Sequence, residues 1–95
     1  EMSAALTESS QELDSRLNRL VIEEECSAYI WDKAREYGVE LTEVSITAAW
    51  STGGFWYPEG AVITCHDPAA ASQTLGGVIE RDLGILESAQ EWRGG

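Results

Sequence analysis

Cys26, Cys65 and His66 are the only cysteines and the only histidine in the sequence, and they are its first candidates for nucleophile, base or metal ligand. A zinc site draws three or four ligands from Cys, His or carboxylates, usually in pairs spaced as CxxC, and that spacing is absent. Cys65 and His66 are adjacent in a segment that reads as a strand, so their side chains point to opposite faces, which argues against a catalytic dyad. The two cysteines are then either buried free thiols or a Cys26–Cys65 disulfide, which would need Cα atoms about 4.4–6.8 Å apart. A serine nucleophile finds no G-x-S-x-G turn and no second histidine. Paired carboxylates for glycoside chemistry need a cleft and one raised pKa, and a calcium loop needs oxygens at alternate positions around a glycine. Glu23-Glu24-Glu25 and the scattered remaining acids offer neither, and read as solvated surface. No catalytic residue, metal or cofactor is expected.

The other side chains able to carry a function are aromatic. Trp50, Phe55, Trp56 and Tyr57 form the one dense group, and such residues give large contact area with few rotors to freeze. They either cover the hairpin and the end of the helix layer, or form an interface, or stack on a small molecule. Trp31 and Trp92 stand apart as further candidate contact residues.

The elements that must position these groups follow from periodicity. Residues 1–10 are small and polar and are expected to fray, leaving 11–93 as one domain. Ser10 to Tyr37 lacks Gly and Pro and is rich in Leu, Glu and Arg, so it reads as a helix capped by Ser9 or Ser10 and ended by Gly38. Its apolar residues fall in two stripes roughly 160° apart: Leu13, Leu17 and Leu20, with Trp31 on the same side, and Ile22, Cys26, Tyr29, Ile30, Ala34 and Tyr37. One sheet cannot cover both. The second stripe is expected on the domain's own sheet, and the first faces another chain, a neighbouring segment or solvent. Val39–Trp50 alternates as a half-buried strand, Ser51–Gly54 signals a turn, and Phe55–Cys65 returns with Ala61, Ile63 and Cys65 inward. Pro58-Glu59-Gly60 marks an edge or a bulge in it. Asp67-Pro68 starts a second helix that Gly84 stops, and Gly76-Gly77 inside it points to close packing. Glu87–Arg93 reads as the last strand.

The economical assembly of these elements is α+β: a two-layer αββαβ sandwich, a three-stranded sheet with both helices on one face. The second and third strands should run parallel, joined by the second helix. The first lies either between them or at an edge. The bare face should carry Glu43, Ser45, Thr47, Val62 and Thr64, together with Gln90 and Trp92. At 95 residues the chain supports one thin core. Seventeen Asp and Glu against six Lys and Arg give a net charge of −11, a field that repels nucleic acid and anionic lipid. No stretch reaches the length of a membrane span or resembles a signal peptide. The opening Glu1–Met2 reads as the start of a piece taken from a longer protein.

AYIWDKAREYGVELTEVSITAAW (28–50), YPEGAVITC (57–65) and GGVIERDLGILESAQEW (76–92) together resemble the soluble domain of the stage III sporulation protein AF family. The resemblance covers about residues 20–93, and its most specific part is Ile79-Glu80-x-Asp82-Leu83-Gly84-Ile85 followed by Gln90-x-Trp92. It implies the ring-building-motif fold, whose αββαβ order agrees with the order above. It also implies an extracytoplasmic domain, anchored by two preceding helices in the mother-cell-derived membrane, within the channel complex between mother cell and forespore. Other subunits of that complex would be its partners, and no catalytic residues come with the family. The alternative is a small-molecule sensor domain that uses the aromatic hairpin tip. With −11 per copy, the isolated domain is expected to be a monomer or weak dimer.

Overall fold

The computed structural model describes the backbone of residues 2–95 and the side chains from Asp14 onward. Helix α1 spans Met2–Tyr37, and is followed by strands β1 (Leu41–Trp50) and β2 (Trp56–Cys65), helix α2 (Pro68–Leu83), a single 3-10 turn at Glu87–Ala89 and strand β3 (Gln90–Gly94). This is the expected α+β order. α1 does not begin at Ser9 or Ser10: helical backbone extends back to Met2. The expected fraying concerns side chains outside the described residues.

The sheet order is β1-β2-β3, with β1 antiparallel and β3 parallel to a central β2. β1 is therefore an edge strand. The register runs Val44 opposite Ile63 and Ile46 opposite Ala61, then shifts so that Thr47 faces Gly60 while Ala48 faces Pro58. Glu59 is the extra residue. Of the two readings of Pro58-Glu59-Gly60, the bulge is the one found, and it falls where β3 does not yet flank β2, since that pairing begins only at Ala61. A proline there interrupts no ladder on the β3 side.

Ile30, Ile63, Leu75, Ile79 and Ile85 are fully or almost fully buried and make the centre of the core, with Cys26, Ala34, Ile46 and Ala61 around them. Their alternation fixes both helices on the same face of the sheet. Tyr37, expected in the core stripe, is instead exposed at the last turn of α1. α2 has both of its expected ends. The Asp67 carboxylate accepts a hydrogen bond from the Ala70 N–H at 3.3 Å, and Gly84 closes the helix at φ 73°, where a side chain would be strained. Gly76 is buried, and a Cβ on it would meet Gln90 Oε1 and Glu87 Oε1, both at 3.4 Å. The close packing implied by the glycine pair is with β3 and the turn before it.

The two helices are also tied by a polar contact at their exposed edge. The Tyr29 hydroxyl donates to Asp82 Oδ2, and Arg81 Nε donates to Asp82 Oδ1 at 2.7 Å. Arg81 first and Tyr29 second hold the Asp82 carboxyl down to about 2. Because this pKa is lowered in the folded state, the stabilisation is complete above the ordinary carboxylate value and fades as pH falls toward 2. Tyr29→Phe is therefore expected to raise the Asp82 pKa part of the way back, Arg81 remaining, and to lower the urea midpoint at pH 6. The difference between the two proteins should vanish toward pH 2. Carboxyl NMR titration and urea unfolding across that range measure both.

At about 1.5 Å per residue the 36 residues of α1 make a helix of roughly 54 Å, against roughly 33 Å for the ten-residue strands. The molecule is accordingly long, 57 × 23 × 20 Å.

Candidate interaction surfaces

Three regions of the surface carry the residues singled out above. The first is the bare sheet face. Register and alternation place Glu43, Ser45 and Thr47 of β1, Val62 and Thr64 of β2, and Glu91 and Arg93 of β3 away from the helices. Glu91 and Arg93 form an ion pair on it. Gln90 and Trp92 do not lie there, contrary to expectation. Gln90 pairs with Ala61 and Trp92 with Ile63, both inward residues, so both side chains point to the helix layer. The cause is the 3-10 turn at Glu87–Ala89, which shortens the strand to five residues. Such a strand has too few alternations for its phase to be read, and a polar Gln looks outward until its partners are known. Trp92 is half-buried against the core, on the helix side of the sheet and not on its bare face.

The second region joins two features that the sequence left separate. The middle of α1, from Ser15 to Ile22, lies along the hairpin tip, and Val21 and Ile22 meet the aromatic cluster. Trp56 Nε1 donates to Ser15 Oγ at 3.2 Å, the Arg19 guanidinium lies 5.5 Å over the Trp56 ring, and Trp50 meets Trp56 edge-on at 5.1 Å. Trp56 is thus the half-buried anchor of the tip. Trp50, Phe55 and Tyr57 remain exposed, at 54%, 61% and 40%, and on the helix Leu17, Leu20 and Val21 are about half exposed. Val21, Ile22, Trp50, Phe55 and Trp56 line a shallow hollow of about 240 Å³. Leu13 belongs to the same stripe, but its side chain lies outside the described residues. Trp31, also outward, sits two turns beyond Glu23-Glu24-Glu25, beside Leu41 and Thr42 at the β1 edge.

The third region surrounds His66. One hollow of about 310 Å³ is bounded by Tyr37, Val39, Glu40, His66, Asp67 and Ala71, and another of about 510 Å³ by Trp31, Arg35, Glu40, Thr42 and His66. His66 is exposed while Cys65 is fully buried, its Sγ–H directed to the Arg93 carbonyl at 3.7 Å. The two side chains diverge as strand geometry requires. Both cysteines are free and buried, so of the two readings the thiols hold and the disulfide does not. Burial, reinforced by Glu25 at Cys26 and by Asp67 at Cys65, pushes both thiols up, away from the thiolate needed for nucleophilic attack. Among the described residues no three His, Cys, Asp or Glu side chains are grouped to hold a metal ion, and no helix is long and apolar enough to cross a membrane.

No protein-family model, curated protein or solved structure matches the chain.

Two arrangements escaped the sequence reading. The Gln90 amide, which donates to the Gly76 and Ile85 carbonyls, had a faint signal in the glycine pair it packs against. The placement of Arg16 and Arg19 beside Trp56 had a fainter one: a helix longer than the hairpin must lie along the tip somewhere.

Proposed function

We propose that this domain is a non-enzymatic assembly module, a membrane-anchored component of the sporulation channel between mother cell and forespore, as its resemblance to stage III sporulation protein AF implies. The observation that carries the reading is the one-sided sandwich. Both helices occupy one face of the sheet, and the other presents a regular row of Glu, Ser, Thr and Val side chains with no segment over it among the described residues. The half-exposed Leu17, Leu20 and Val21 on the opposite layer supply a second, more apolar surface. A subunit with two different bare surfaces on opposite sides can meet identical neighbours head to tail, and such contacts close into rings.

At −11 per copy the free domain resists self-association, so the proposal puts assembly under the control of the tether, which raises local concentration. The test uses the buried state of both native thiols. Thr47→Cys on the bare face, combined with Leu17→Cys on the helix, should cross-link between copies when the domain is anchored by its N-terminus to vesicles. It should remain monomeric in dilute solution. Absence of cross-links on the tethered protein would remove the assembly reading. The sensor alternative draws on the aromatic hollow at Trp50, Phe55 and Trp56. A saturable change in tryptophan fluorescence with a sugar, amino acid or nucleotide, at sub-millimolar concentration, would favour it instead.

A further inference from the structure

Six Lys and Arg serve this strongly acidic chain. Four of them are engaged: Lys33 with Glu36, Arg35 with Asp32, Arg81 with Asp82 and Arg93 with Glu91. The remaining two, Arg16 and Arg19, form no ion pair among the described residues. They stand three positions apart on α1, and both line one hollow of about 260 Å³ with Ser15 and Trp56. Arg19 is held there by stacking rather than by a carboxylate. Its guanidinium lies 5.5 Å over the Trp56 ring, and its Nε is buried with no hydrogen-bond partner among the described residues. An orphaned Nε is costly, and the stacked ring offsets part of that cost while fixing the direction of the guanidinium. The Ser15 hydroxyl accepts from Trp56 Nε1 and keeps its own O–H as a donor. Two cations and a hydroxyl thus line one hollow with no anion among the described residues.

Trp56 also forms a wall of the neighbouring apolar hollow with Val21, Ile22, Trp50 and Phe55. We propose that these two hollows together are a peptide-docking site, in which Arg16 and Arg19 take one carboxylate of a partner protein and the Trp50–Phe55 side takes the apolar residue next to it. Charge decides the class of occupant. A single carboxylate gains a forked, charge-assisted contact with a guanidinium. A polyphosphate or a run of acids brings many charges into the field of a −11 chain and loses more than two arginines return. The occupant is therefore an isolated Asp or Glu flanked by a large apolar side chain. This inference rests on the assembly reading only in that the ligand is a protein. Val21 borders both surfaces, but the cross-linked positions Thr47 and Leu17 line neither hollow, so the vesicle cross-linking result and the peptide result can fail separately.

The test is titration of the 15N-labelled domain with acetyl-Leu-Glu-Leu-amide, and with acetyl-Leu-Gln-Leu-amide as the uncharged match, followed on the Trp56 indole N–H signal assigned by Trp56→Phe. The glutamate peptide should move that signal saturably and bind at least tenfold more tightly than the glutamine peptide. Arg16→Ala should reduce the difference severalfold and Arg16→Ala/Arg19→Ala should abolish it, with the Trp92 signal unchanged as the control for folding. If removing Arg19 disturbs the tip, Arg19→Gln keeps much of the stacking surface while deleting the charge, and should lose the same preference. Equal binding of the two peptides, no movement of the Trp56 signal, or inorganic phosphate competing at the concentration of the glutamate peptide would each overturn the proposal.

Discussion

Ile63→Ala is expected to lower the stability of the domain by about 2–5 kcal/mol, the largest loss of any single truncation in this chain. Ile63 is on the central strand, has no exposed surface and faces both helices at once, with Ile30, Leu75, Ile79 and Ile85 around it. A β-branched side chain there cannot be replaced by the movement of one neighbour, because the sheet holds it from below and two helices close over it from above. The cavity left behind therefore relaxes little. A domain of this size has about 5–15 kcal/mol of stability in all, so the variant should approach the unfolding threshold. Each kcal/mol moves Tm by roughly 4–8 °C in a domain of 60–100 residues, and a fall of 10 °C or more is the expected reading by calorimetry. Ile63→Val, which removes one methyl group, should cost only about 0.5–1.5 kcal/mol. Equal, small effects of the two substitutions would show that the centre of the core lies elsewhere.

The same residues explain why so much of the fold was legible beforehand. Ile63, Ala61 and Cys65 alternate with Val62 and Thr64, and that period of two states both the strand and its buried face. Asp67-Pro68 and Gly84 each declare a helix end through a mechanism local to the chain, a carboxylate acceptor, a missing N–H and a left-handed backbone. What resisted reading was decided by distant partners. The five residues of β3 hold one Gln, one Glu, one Trp and one Arg before the glycine, so no hydrophobic period sets the phase. Only the parallel register with β2 and the carbonyl groups beneath Gln90 turn it inward. β1 became an edge strand by the choice of β3 to pair with β2, about which β1's own alternation says nothing. The candidate surface divides in the same way. The outward stripe of α1 follows from angular spacing, and Leu17 and Leu20 are indeed exposed. That Val21 and Ile22 meet the aromatic tip depends on how far α1 runs along the hairpin. Side-chain contacts such as Trp56 with Ser15 and Arg19 set that geometry, and they have no sequence period.

Gln90→Leu tests whether the half-buried Gln90 hydrogen bonds, rather than apolar burial, place β3. The Gln90 amide donates through Nε2 to the Gly76 and Ile85 carbonyls, both at 3.0 Å, and accepts at Oε1 from Trp92 Nε1 at 3.3 Å. One side chain therefore joins α2, the turn before β3 and β3 itself. Leucine is close to glutamine in volume and would fill the site, so the loss expected is electrostatic. It strands the Ile85 carbonyl and the Trp92 indole N–H, each unpaired group costing about 1–3 kcal/mol. A net destabilisation of about 2–4 kcal/mol follows, partly offset by the more apolar side chain. Gln90→Glu separates hydrogen bonding from shape. An ionised carboxylate facing two carbonyl oxygens is repelled by them, so its pKa in the folded state is raised above the unfolded value. The protonated form can still donate to one of the two carbonyls. Stability of Gln90→Glu should accordingly be greatest below the ordinary carboxylate pKa and fall as pH rises through the raised one, opposite in sign to the Asp82 contribution. Urea unfolding of the parent and the two variants between pH 4 and pH 8 distinguishes the cases. A pH-independent difference between parent and Gln90→Glu would mean that the residue at position 90 reaches water, and that the helix layer does not hold β3 through it.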